Sequence, residues 1–181
     1  MEPTGELFTV FGLPAHPLVV HAVVVLLPLA ALAAIAAALV PRWRQRYSAP
    51  LLGVTLLGVL AVPVAAKTGE QLEHRISQRF ENPLITEHAD MGDTLLPFAL
   101  GFGVAVVLLL VAGRLADRER AASAEQAGGA GEPGSAGVPK TWRRVSVVVA
   151  VLVIATGAAA TAQVVRIGHS GSTAVYDGVG N

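Results

Sequence analysis

Apolar residues fall in four long blocks along this chain, at about 17–40, 50–66, 94–112 and 145–165, and polar residues collect between them. A bilayer core of about 30 Å needs roughly 20 apolar residues in helical form. In lipid the backbone must satisfy its own hydrogen bonds, and none of the blocks alternates apolar with polar, so each predicts a helix. The expected fold is all-α: an integral membrane four-helix bundle formed by 17–120 and 140–181. Short motifs rich in small residues, such as ALAAIAAAL (31–39) and GFG (101–103), allow the helices to approach closely. Pro17 suits a helix start, whereas Pro28 and Pro63 lie deeper and predict kinks.

The intervening segments divide into distinct types. EQLEHRISQRF (70–80) places Leu72, Ile76 and Phe80 on one stripe, which predicts a short amphipathic helix on the outer surface. In NPLITEHADMGDTLLPF (82–98), Asn82–Pro83 reads as a cap and first helical position. AASAEQAGGAGEPGSAGVP (121–139) has no large apolar side chain and is expected to be a flexible cytoplasmic linker.

Charge supplies the orientation. Arg42, Arg44, Arg46, Arg114, Arg118, Arg120, Lys140, Arg143 and Arg144 lie in two loops, and account for nine of the 13 basic residues. Those loops should face the cytoplasm, with Trp43 and Trp142 at the interface. Both termini would then be extracytoplasmic in the cell membrane, and residues 1–16 form an outward segment. The acidic start containing Glu2 and Glu6 is unlike a signal peptide, so the first block is read as a retained helix.

Composition narrows the chemistry. The chain has no cysteine, which excludes disulfides, thiolate metal sites and cysteine nucleophiles. A net charge of zero gives no general attraction to nucleic acid. No phosphate-cradling glycine loop follows a strand, and GHSG (168–171) lacks the central serine of a nucleophile elbow. A catalytic motif is therefore missing, and the chain reads more readily as a non-enzyme.

All five histidines fall on the outward half under this topology: His16, His21, His74, His88 and His169. Ionisable side chains at membrane depth usually face the bundle or a wet cavity. His16 and His21 point about 140° apart at 100° per residue, so they do not form a simple pair. His21 and His88 are the first-choice ligands for haem iron or a metal ion, with His16 and His169 as the second pair. Glu70 and His74, four apart, read first as a surface electrostatic pair, and second as a supporting pair in which the carboxylate orients a ligating imidazole. Gly168 and Gly171 flank His169 and predict a tight turn that folds the tail back over the bundle mouth.

GLPAHPLVVHAVVVLLPLA, TGE (68–70), EHADMGD and the closing GHSGSTAVYDGVG resemble the DUF2231 family of bacterial four-helix membrane proteins. The resemblance covers nearly the whole chain apart from the linker, and carries His16, His21, His88, Gly178 and Gly180 over as family positions. Some relatives look fused to Rieske-type domains, which implies redox work. This chain has no such appendage, so an electron-transfer partner would be a separate redox protein.

Three functions follow as expectations. The first is an electron-transfer module with haem b or a transition metal near the outer face. The second is a structural or partner-binding membrane subunit without cofactor, and the third a small proton- or ion-conducting protein.

Overall fold

A computed structural model describes residues 8–79, 81–127 and 140–177. The chain enters through a two-stranded antiparallel hairpin, β1 (Thr9–Val10) and β2 (Leu13–Pro14). Phe11 and Gly12 form its turn, both at positive φ (52° and 79°), the backbone that a two-residue hairpin loop demands. Glycine adopts it freely, whereas a bulky residue such as Phe11 seldom does. This hairpin lies within the N-terminal segment that precedes the first span, where the hydrophobic pattern predicted no element.

Five helices follow: α1 (Ala15–Leu39), α2 (Pro41–Ser77), α3 (Pro83–Asp93), α4 (Leu95–Ala127) and α5 (Lys140–Tyr176). Four stretches are long and apolar enough to cross a membrane, within α1, α2, α3–α4 and α5. The long helices run up and down in the ring order α1, α2, α4, α5, each packing on its two neighbours. Helix α3 packs on α5 and α2 at one end of the bundle and so bridges a diagonal. This end carries all five histidines and is the outer end of the expected topology.

Interhelical packing uses residues at helical spacing. Val23, Leu27, Ala30, Ala34 and Ala37 of α1 meet Leu51, Thr55, Gly58 and Val62 of α2. Helix α4 contributes Ala99, Phe102, Val106 and Leu109, and α5 contributes Val153, Gly157, Ala160 and Val164. The buried stripe is rich in small residues, which lets backbones approach. Leucine and valine cover the opposite faces: Leu32, Leu57, Leu60, Val104 and Val151 are exposed to the surroundings. That inversion of size, with both faces apolar, suits a lipid solvent.

Several boundaries differ from expectation. The 70–80 segment is helical as far as Ser77, but as the end of α2 rather than as a separate surface helix; Phe80 lies outside the described residues. The separate short helix is α3. Similarly, α4 continues to Ala127, so the start of the expected linker is helical, and 128–139 lie outside the described residues. Extending an existing helix requires no new nucleation, and the Ala-, Arg- and Glu-rich sequence favours it.

Helices α1 and α2 run on through Pro28 and Pro63. The departure from helical dihedrals falls instead at Tyr47 (φ −112°, ψ 19°), three residues before Pro50. Pro50 cannot donate to the Arg46 carbonyl, which releases the backbone there.

Asn82 caps α3 with its side chain accepting from Leu84 N at 3.0 Å, and Pro83 follows at the first helical position. Asn82→Ala removes that acceptor and should cost about 1 kcal/mol. Earlier melting of the outer end, read by hydrogen exchange across 83–93, is the expected result; unchanged exchange would refute the cap.

Candidate functional site

Two imidazoles on different helices are held at the outer end. His16, in the first turn of α1, places Nδ1 3.0 Å from the Ala65 carbonyl and 3.4 Å from Thr68 Oγ1, both on α2. Its ring lies against Gly69: a Cβ there would come within 3.0 Å of His16 Cε1. His88, on α3, places Nδ1 3.0 Å from Ser170 Oγ of α5. Its ring lies against Gly171 in the same manner, with Cε1 2.9 Å from where a Cβ would stand. The TGE and GHSG motifs therefore act as seats for imidazoles.

Hydrogen-bond logic fixes the tautomers. A carbonyl can only accept, so His16 Nδ1 carries the proton toward Ala65. Thr68 directs its own proton to Val64 O and Ala65 O, leaving its oxygen as an acceptor. Ser170 Oγ donates to Ile167 O at 2.8 Å, so it accepts from His88 Nδ1–H. Both rings thus turn Nδ1–H into the protein, and neither Nε2 has a hydrogen-bond partner among the described residues. Ser170 is no activated nucleophile, because its proton goes to a carbonyl and not to His88.

The remaining histidines lie elsewhere. His21 is exposed, and its Nδ1 meets the Pro17 carbonyl on its own helix. His21 thus makes its hydrogen bond within its own helix, whereas His16 and His88 are each held by a neighbouring helix. Since His16 faces α2, the 140° offset turns His21 outward. His74 is exposed and pairs with Gln78 (Nε2 to Nε2, 3.1 Å) instead of Glu70. Among the described residues no Glu70–His74 contact forms, because Glu70 is turned to solvent.

His169 is exposed too, on a cleft of about 250 Å³ shared with Glu87, Met91 and Arg166. The expected turn at Gly168–Gly171 is replaced by unbroken helix as far as Tyr176. Gly171 gives His88 room, and Gly168 meets nothing within 4 Å. Gly178 and Gly180 lie outside the described residues. Among those described, no group of three or more His, Asp or Glu is placed to hold a metal ion.

A second polar centre lies at the opposite, inner end, where only topology had been read from the charges. Asp117 of α4 accepts from Arg120 Nη1 at 2.6 Å and from Gln45 Nε2 at 3.0 Å, and stands 3.7 Å from Arg44 Nη2 of α2. Arg44 is only 6% exposed and lies against Gly113. The signal was its spacing, since Arg44, Leu51 and Gly58 share one heptad stripe. Gln163, buried on α5, bonds Thr94 Oγ1 at 2.6 Å where α3 passes into α4, and it too escaped the sequence reading.

Four apolar spanning helices packed through small residues define a multi-helix integral membrane protein in contact with lipid. A family profile described as "Predicted membrane protein (DUF2231)" matches residues 12–181, and the chain belongs to that family. No curated protein and no solved structure matches it significantly.

Proposed function

We propose that this chain is a multi-pass cell-membrane module that holds haem b between His16 and His88 and passes electrons to a separate redox protein. The observation that carries this reading is the shared tautomer: both rings commit Nδ1–H to protein acceptors and leave Nε2 as a free lone pair. Outer-shell acceptors of this kind orient ligating imidazoles and raise their basicity. A bare transition metal fits less well, because it asks the protein for three or more ligands and the described residues assemble no such group. Haem would ask this chain for no more than two imidazoles, which His16 and His88 would supply.

When bound, haem would supply a one-electron couple, and with His16 and His88 both holding it the site would favour electron transfer over oxygen chemistry. The chain's part is orientation. Ala65 O and Thr68 fix the His16 ring, Ser170 fixes His88, and Gly69 and Gly171 allow both rings to lie against the helices. The basic excess at the inner end supports a cytoplasmic side there and an extracytoplasmic histidine end.

A structural or partner-binding role is the second reading, and a specific observation favours it. The same hydrogen bonds tie α1 to α2 and α3 to α5, and neither outer cleft is lined by His16 or His88. Proton conduction has less support: Thr55 and Gln163 are the buried polar side chains between the two ends among the described residues, and Thr55 donates to its own helix.

A visible spectrum of protein purified from haem-replete cells decides between these readings. The haem reading expects a Soret band near one haem per chain, lost in His16→Ala and in His88→Ala and kept in His21→Ala. Colourless wild-type protein whose His16→Ala and His88→Ala variants are merely less stable would establish the structural reading instead.

A further inference from the structure

We propose that the Arg44–Asp117–Arg120 cluster at the inner end is a binding site for an anionic phosphate group, presented at the membrane boundary by a phospholipid headgroup. The inference is independent of the histidine site.

Arg44 is the key residue. Its guanidinium is more than nine-tenths buried between α2 and α4, lying on Gly113, whose added Cβ would stand 2.6 Å from Arg44 Cζ. A buried guanidinium, always charged and with five N–H donors, is expected to meet well-placed acceptors. Among the described residues it meets one carboxylate oxygen at 3.7 Å, too long for a hydrogen bond. That same oxygen, Asp117 Oδ1, already accepts from Arg120 at 2.6 Å, and Oδ2 accepts from Gln45. Arg120 Nε is a buried side-chain donor with no hydrogen-bond partner among the described residues. Two guanidinia therefore share one carboxylate, and the cluster is short of both negative charge and acceptor oxygens.

The missing partner can be specified by its chemistry. It must be an anion with several oxygens in fork geometry, which a phosphate offers to arginine. It must also be available where the apolar spans end, since Arg44 lies in the first turn of α2. Exposed Arg42, Arg46, Arg114 and Arg118 lie within one helical turn of the cluster residues along α2 and α4, and exposed Glu119 and half-buried Asp117 are the acids beside them on α4. Trp43 and Tyr47 are exposed on the same turns, as interfacial aromatics are. The combination of buried donors with a basic, aromatic rim fits a headgroup with its acyl chains lying along the bundle.

The test uses the full chain in detergent, with phosphatidylglycerol and phosphatidylcholine of identical acyl chains as probes, read by native mass spectrometry and thermal stability. Phosphatidylglycerol should bind about tenfold more tightly than phosphatidylcholine, because the choline cation of the latter neutralises its phosphate and is repelled by the arginines around the site. Arg44→Gln should abolish the difference, whereas Arg75→Gln, an exposed charge at the opposite end of α2, should preserve it. Competition by millimolar inorganic phosphate would reassign the site to free phosphate. Equal binding of the two lipids, or equal losses in Arg44→Gln and Arg75→Gln, would overturn the proposal. Should Arg44→Gln fail to fold, Arg120→Lys keeps the charge, removes Nε and must still weaken the preference for phosphatidylglycerol.

Discussion

Phe102→Ala is expected to lower the unfolding free energy by ~3–5 kcal/mol, the range for deleting a fully buried aromatic ring. Phe102 is 0% exposed on α4, and its ring edge approaches Gly157 of α5, which in turn approaches Ala31 of α1. It fills the space where three helices meet with only small residues opposite. Neither Gly157 nor Ala31 has a side chain that could swing into the gap, so the cavity should persist. In lipid, transfer out of water contributes less than in a soluble core, and the loss is chiefly of dispersion contacts. That places the effect toward the lower part of the range. Unfolding by sodium dodecyl sulfate in mixed micelles measures it, with Phe102→Leu as the milder control. A loss below about 1 kcal/mol would show that the ring does not occupy the shared core.

Asp117→Asn should be the most damaging single change at the inner end. It leaves the buried Arg44 and its neighbour Arg120 without a counter-charge. Removing one partner of a buried pair typically costs ~3–5 kcal/mol. The Asp117 side chain keeps 26% of its exposure, so water recovers part of this and about 2–3 kcal/mol is expected. The mechanism makes a sharper demand than the magnitude. Arg44→Gln in the Asp117→Asn background should restore stability, because the remaining damage is an uncompensated buried cation. If the two losses simply add in the same micelle titration, the charge account is wrong.

The four spans were legible because length and apolar content alone identify a membrane helix. The expected 17–40 run corresponds to Ala15–Leu39 of the structure. What the sequence hid was how far helix continues into charged sequence. Residues 70–77 and 121–127 look like surface or linker segments by composition, yet each prolongs a helix already nucleated in the membrane.

At the outer end, the chemistry was more legible than the partnership. The spacing of His16 and His21 showed that only one of them could face a given neighbour. Which one did depended on Ala65, Thr68 and Gly69, fifty residues away on α2. Gly171 was misread for a related reason: glycine permits both a turn and a close approach, and only the ring of His88 distinguishes them. Arg44 was hidden by its charge, since an arginine in a basic loop reads first as a topology signal.

The unequal lengths of the first two spanning helices have a mechanical consequence. Helix α1 has 25 residues and α2 has 37, so α2 rises past the start of α1 by about 12 residues, or ~18 Å. This overhang carries Lys67, Glu70, Glu73 and Arg75, which hydrocarbon would not accept. At its other end α2 is barred from sliding outward by Arg42, Arg44 and Arg46. The helix is therefore staked at both leaflets, with its vertical travel limited. Because His16 grips it at Ala65, α1 inherits the same depth stop, and the outer imidazoles keep their height when bilayer thickness changes.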